Sequence, residues 1–141
     1  FQLPARFKAD QKRLESFLKM LSRRRIYAFE FRDESWYDEP IFALLRKHNV
    51  ALCLSDHRDA PAPWEVTAGH VYVRGHGPTG QYKDRYPRKT LQSWASDMAR
   101  WRRKGLATYC YFDNDQKSAA PKDARRLAEL VGGSALARRA G

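Results

Sequence analysis

YAFEFRDESW, from Tyr27 to Trp36, carries the pattern that decides the fold. Apolar, β-prone residues run as far as Phe31, broken only by Glu30, and then give way to Arg32, Asp33, Glu34 and Ser35. Two later stretches repeat the design: VYVRGHG from Val71 to Gly77, and TYCYFDND from Thr108 to Asp115. Short apolar runs bounded by polar and turn residues read as buried strands. Because each turns charged at its last residues, reactive side chains are expected at one end of a parallel sheet.

The segments between these runs have helical period. Asp10 is a plausible N-cap, and Leu14, Phe17, Leu18 and Leu21 form one apolar stripe that ends at Ser22 and three arginines. A second helix is predicted from Asp38, with Pro40 in its first turn, over Ile41, Leu44, Leu45 and His48. A third spans about 89–104, with Leu91, Trp94, Ala95, Met98 and Trp101 inward and Gly105 as its stop. A fourth runs over about 121–131 and is expected to end at Gly132 and Gly133. Strands are predicted over 26–31, 50–54, 71–74 and 107–112, with the fragment of another at Phe1. Residues 58–69, with Pro61, Pro63 and Trp64, read as a loop.

Strand–helix alternation implies a parallel sheet with right-handed crossovers. No G-x-G-x-x-G follows a strand, which argues against dinucleotide binding. A TIM-type (β/α) barrel needs eight strands and about 250 residues. The expected fold class is therefore α/β, a TIM-like barrel of which 1–131 would be roughly the C-terminal half, followed by a mobile basic tail at 132–141. Phe1 to Leu3 reads as a strand tail, so a preceding half-barrel is the first expected partner.

Lys and Arg number 27 against 16 Asp and Glu, a net charge of +11, which favours polyanionic partners. No apolar run approaches the ~20 residues of a membrane span. Cys53 and Cys110 sit in apolar strands outside any C-x-x-C pair and read as reduced core thiols, giving an expected cytoplasmic setting.

The motifs resemble those of the YecE-like family, named as domain of unknown function 72. Phe1-Gln2-Leu3-Pro4 is similar to its F-Q-L-P strand end, Phe29-Glu30-Phe31-Arg32 with Ser35-Trp36 to its F-E-F-R-x-x-S-W. Val71-Tyr72-Val73-Arg74 with His76-Gly77 resembles its Y-V-R-x-H-G. Tyr109, Tyr111-Phe112 and Asn114-Asp115 resemble its Y-x-Y-F-x-N-D. Gly75 stands where Leu is usual and Asp113 where Asn is common. The resemblance implies a TIM-like barrel and an unsettled biochemical function.

In such barrels the working residues lie at the C-terminal strand ends. Glu30, His76 and Asp115 are the candidate catalytic acids and bases. Arg32 and Arg74 are candidates to grip a phosphate or carboxylate bidentately, with Trp36, Asn114 and Tyr82 beside them. The plain structural alternative pairs Glu30 with Arg32 or Arg74 inside the barrel. His57, His76, Glu30, Asp56 and Asp115 are a mixed nitrogen–oxygen set for a divalent metal, though without a local metal-binding spacing. Whether a cofactor is bound stays open. Trp36, Trp64, Tyr82 and Tyr86 are expected on the same rim, suited to stacking on bases or sugars, whereas Trp94 and Trp101 read as core. His48 and His70 read as surface or capping residues. Three functions stay open: a phosphoester hydrolase, metal-assisted or not, acting on nucleic acid or a phosphorylated small molecule; a nucleic-acid-binding barrel without catalysis; and a sugar-binding or isomerising barrel.

Overall fold

The structure is a computed structural model that describes residues 1–136, with side chains as far as Gly132. Asp10 caps α1 (Gln11–Met20), its Oδ1 accepting the Arg13 N–H at 2.9 Å. β1 (Ala28–Phe29) follows. Asp38 caps α2 (Glu39–Lys47), accepting the Ile41 N–H at 3.2 Å, with Pro40 in the first turn where no backbone donor is needed. β2 (Ala51–Ser55), β3 (His70–Gly75), α3 (Arg88–Arg103), β4 (Ala107–Phe112) and α4 (Ala119–Leu136) complete the order.

The four strands pair in sequence order, β1-β2-β3-β4, and every pairing is parallel. The sheet is α/β in class but does not close into a barrel among the described residues. The apolar stripes of the helices pack on one face, around Leu14, Leu18, Leu45, Leu52, Leu54, Val73 and Leu91. Trp94 and Trp101 are buried there as expected, and Trp64 packs on both, with ring centroids 5.5 and 5.8 Å away. Trp64 thus covers α3 rather than the rim where it was expected.

Continuous burial on both faces holds for β2, all five of whose residues are buried, but not for β4, which alternates. Cys110 and Phe112 turn toward the helices, while Tyr109 and Tyr111 remain exposed on the opposite face with Phe1 and Ile26. That open face is a hollow of about 390 Å³ lined by Phe1, Glu30, Cys53, Tyr72, Arg74 and Tyr111 among others.

Two elements differ from expectation by more than a residue at their ends. The first strand is two residues long instead of six, because beyond Phe29 the chain leaves β2. Glu30 instead exchanges backbone bonds with the chain start, its N–H reaching Phe1 O at 2.8 Å and its carbonyl accepting from Leu3 at 3.0 Å. α4 runs through Gly132 and Gly133 to Leu136, since two glycines cost about 1 kcal/mol each but do not forbid a helix. Of the expected mobile tail, residues 137–141 lie outside the described residues. His70 opens β3 as a buried residue with Nε2 3.1 Å from Tyr27 O, not a surface group; His48 caps the end of α2, half-buried.

Candidate functional site at the strand ends

Parallel pairing brings the last residues of the four strands to one edge. Glu30 and Arg32 are two residues apart in extended chain and project to the same side. Both are buried. Glu30 Oε1 meets Arg32 NH2 at 2.6 Å, and Oε2 meets Arg74 NH1 at 2.5 Å. Arg74 continues the chain of contacts: NH1 donates to Gln2 Oε1 at 2.9 Å and NH2 to Asp113 Oδ2 at 2.6 Å. Arg32 donates through NH1 to the Tyr82 hydroxyl at 2.9 Å, and its NH2 lies 3.1 Å from His76 Nε2. Asp56 holds the far side of His76, accepting its backbone N–H at 2.6 Å, and also accepts the Tyr86 hydroxyl.

Isolated buried charges would cost several kcal/mol each, so the cluster exists only as a set. Two carboxylates, Glu30 and Asp113, pair with the two guanidiniums, while Asp56 faces His76 and Tyr86. This changes the expected role of the arginines. Arg74 is committed to Gln2, Glu30 and Asp113, so a bidentate grip by both arginines on one anion is not available. Arg32 keeps its buried Nε as a donor with no hydrogen-bond partner among the described residues.

Asp115, expected in the site, is exposed at the start of a 3-10 turn, where its carbonyl accepts the Ser118 N–H. Asp113 occupies the cluster instead. Its N–H extends the ladder to Gly75 O at 2.8 Å, which keeps its side chain on the face of Tyr111 and Arg74. Period-two alternation from Tyr111 is the signal that could have found it. Asn114 is fully buried and serves the scaffold, donating to Asp84 O at 2.6 Å and Asp123 Oδ2 at 2.9 Å. Asp123, which sequence reasoning missed, also takes the Tyr86 N–H at 3.0 Å and so ties the loop after β3 to α4.

The expected aromatic rim is largely absent. Trp36 is buried and stacks in parallel on Phe31 at 4.6 Å and Phe7 at 6.2 Å. Tyr86 is buried too. Tyr82 alone of the four stands half-exposed at the cluster, edge-on to His76 at 5.0 Å and near His57 at 5.8 Å. Burial holds the His57 imidazole below its ordinary range, with the Arg32 charge adding to the effect, which favours the neutral ring.

The metal set proposed from sequence is not assembled. Glu30 is taken by arginines, Asp115 lies elsewhere, and among the described residues no group of three or more His, Cys, Asp and Glu is arranged to hold an ion.

Backbone shape fixes the loop that carries Tyr82. Gly77 has φ +94°, and a Cβ there would collide with the carbonyl oxygen of Lys83. Gly105 has φ +76° but nothing within 4 Å. Both Gly→Ala changes are expected to cost about 1–2 kcal/mol for the left-handed backbone. At Gly77, overpacking adds about 1–3 kcal/mol. Urea unfolding of the two variants checks the difference; equal losses would contradict the contact at Lys83.

A family model described as protein of unknown function DUF72 matches residues 1–140. A search of curated proteins found no match. Among solved structures, a DUF72 family protein of Thermotoga maritima MSB8 superposes with TM-score 0.77 at 21% identity, over 93% of this chain and 56% of that one. A DUF72 family protein of Enterococcus faecalis V583 gives TM-score 0.75 at 15% identity, over 93% and 57%. This chain therefore spans little more than half the length of either, and at these identities the likeness speaks to fold alone. Among the described residues no helix is long and apolar enough to cross a membrane. With the match running along the chain, the protein belongs to the DUF72 family.

Proposed function

We propose that residues 1–131, with the remainder of α4, are the C-terminal half of a TIM-like barrel whose strand-end site binds a phosphate-bearing ligand and hydrolyses its phosphoester. Four parallel strands with one open face, and coverage of 56% and 57% of two solved relatives, support the half-barrel reading. A preceding half would cover the hollow over Tyr72 and Tyr111. Two unpaired cysteines suit a reducing, cytoplasmic setting.

The observation that carries the ligand reading is Arg32 Nε. A buried donor without an acceptor costs about 1–3 kcal/mol, and an anionic oxygen would satisfy it. The Tyr82 hydroxyl accepts from Arg32 and still has its own proton to give. These two donors would hold non-bridging oxygens, and His57 beside them would take the proton of an attacking water as its oxygen bonds phosphorus; the ester P–O bond breaks, and the leaving alkoxide recovers a proton from the His57 imidazolium. The chain's +11 charge favours such a ligand.

Arg32→Lys tests this. Lys keeps the charge but loses the fork. Inorganic phosphate, titrated calorimetrically, is expected to bind the native chain and to bind Arg32→Lys about 10-fold more weakly, a change of ~1.4 kcal/mol, typical of one charged hydrogen bond. Absence of phosphate binding by the native chain, or unchanged affinity in the variant, would overturn the reading.

A nucleic-acid-binding role is the second reading. It is favoured by a cleft of about 520 Å³ beside α4, lined by Arg85, Lys122, Arg125 and Arg126 together with Glu129. Affinity for an oligonucleotide would then fall linearly with log salt, and turnover of a phosphodiester would distinguish hydrolysis from binding.

A further inference from the structure

The imidazole of His76 is fully buried and charged or polar groups surround it. Nε2 faces Arg32 NH2 at 3.1 Å, Glu30 Oε1 at 3.5 Å and Asp113 Oδ2 at 3.8 Å. Nδ1 faces Asp56 Oδ1 and Ser55 Oγ, each at 3.4 Å. The rings of His57 and Tyr82 stand edge-on to it.

The nearest neighbour of Nε2 is a guanidinium N–H. Arginine keeps its protons in proteins and has no acceptor, so a bond between the two requires a bare Nε2. The ring proton then belongs on Nδ1. The Ser55 hydroxyl is in hydrogen-bonding position for it, and the Asp56 carboxylate, at ion-pair distance, favours a proton there electrostatically. The Ser55 hydroxyl directs its own hydrogen to Glu30 Oε1 at 3.4 Å and accepts the His57 N–H at 3.3 Å, which leaves one lone pair for Nδ1. Asp56 is itself braced. Its Oδ1 takes the His76 backbone N–H, and its Oδ2 takes the hydroxyl of Tyr86, whose oxygen accepts the Gly77 N–H at 2.8 Å. Burial and the Asp56 charge raise the Tyr86 phenol, so it remains a donor to Asp56.

We propose that Asp56, braced by Tyr86, is a positioning residue that fixes His76 as the neutral tautomer protonated on Nδ1, leaving Nε2 as an acceptor beside Arg32 at the strand-end site. Which ring nitrogen carries the proton is set by the partner of the other. A bare Nε2 accepts the Arg32 N–H, and would take a proton from a bound group only where that group displaces Arg32; a protonated Nε2 can do neither. The use of that acceptor in phosphoester chemistry rests on the reading above, but the tautomer does not.

The test is long-range proton–nitrogen NMR of the 141-residue chain labelled with nitrogen-15 in histidine, at mildly alkaline pH and without ligand. His76→Gln assigns the signals. A pyrrole-type Nδ1 and a pyridine-type Nε2 are expected at His76. In Asp56→Asn the pyridine-type Nε2 signal should be lost to an exchange-averaged pattern, and in Tyr86→Phe it should move the same way by less. A purely structural Asp56 would alter the melting temperature and leave these signals in place, which would overturn the proposal. So would a protonated Nε2 in the native chain, a result that needs no variant to fold. Failure of phosphate to bind would count against the ligand reading and leave the tautomer result untouched.

Discussion

Replacing Glu30 by Gln is expected to lower the unfolding free energy by about 3–5 kcal/mol, the cost of leaving buried charge unpaired. The change is nearly isosteric, so the loss is electrostatic. Glu30 bridges Arg32 and Arg74 with one oxygen each, at 2.6 and 2.5 Å. A carboxamide can accept from one guanidinium only by turning its NH2 toward the other. Arg74 keeps Asp113 and Gln2 and is partly open to solvent, so most of the penalty falls on Arg32, whose side chain is 7% exposed. Urea unfolding measures the loss. Adding Arg32→Gln to Glu30→Gln removes the stranded charge, and the two changes are expected to be non-additive by about 0.5–3 kcal/mol. A loss below about 1 kcal/mol for Glu30→Gln, the range of exposed pairs, would mean that water reaches the cluster.

Trp36→Ala is expected to cost about 3–5 kcal/mol as well, by cavity formation. The indole is 2% exposed, lies parallel to Phe31 at 4.6 Å, and donates through Nε1 to Phe7 O at 2.6 Å. It fastens the loop after β1 to the segment before α1. Trp36→Phe keeps a ring in the stack and forfeits chiefly the hydrogen bond, so a loss of roughly 1 kcal/mol is expected. Calorimetric melting of both variants gives the comparison. A rim tryptophan that stacked on bases would behave the other way, with ligand affinity falling and stability nearly unchanged. That outcome would remove Trp36 from the core.

Both predictions turn on residues whose type was visible in the sequence and whose surroundings were not. Asp10, Asp38, Pro40 and Gly105 announced helix ends correctly because capping is local: the partner is within a few residues. The apolar stripes of α1, α2 and α3 were legible for the same reason. The first strand was read as six residues because Ile26 to Phe31 has the right composition, but its length depends on Ala51 and Leu52, which pair with only two of its residues. Tyr86 and Trp36 looked like rim aromatics because loops are mostly exposed; here Asp56 and Phe31 draw them inward. Asp115 was chosen over Asp113 by motif position, whereas the ladder bond from Asp113 to Gly75 decides which carboxylate stays beside Arg74.

Element order, the parallel α/β class and the edge of the sheet where charge collects were legible along the chain, because periodicity, caps and strand-end composition are local properties. Which of those charges meet follows from packing between distant segments. Arg32 reaches His76 across 44 residues of chain and Arg74 reaches Gln2 across 72, and it is these encounters that commit Arg74 and leave Arg32 Nε without a hydrogen-bond partner among the described residues. Side chains so far apart in sequence are brought together by strand register, and register is set by the packing of the whole sheet against its helices.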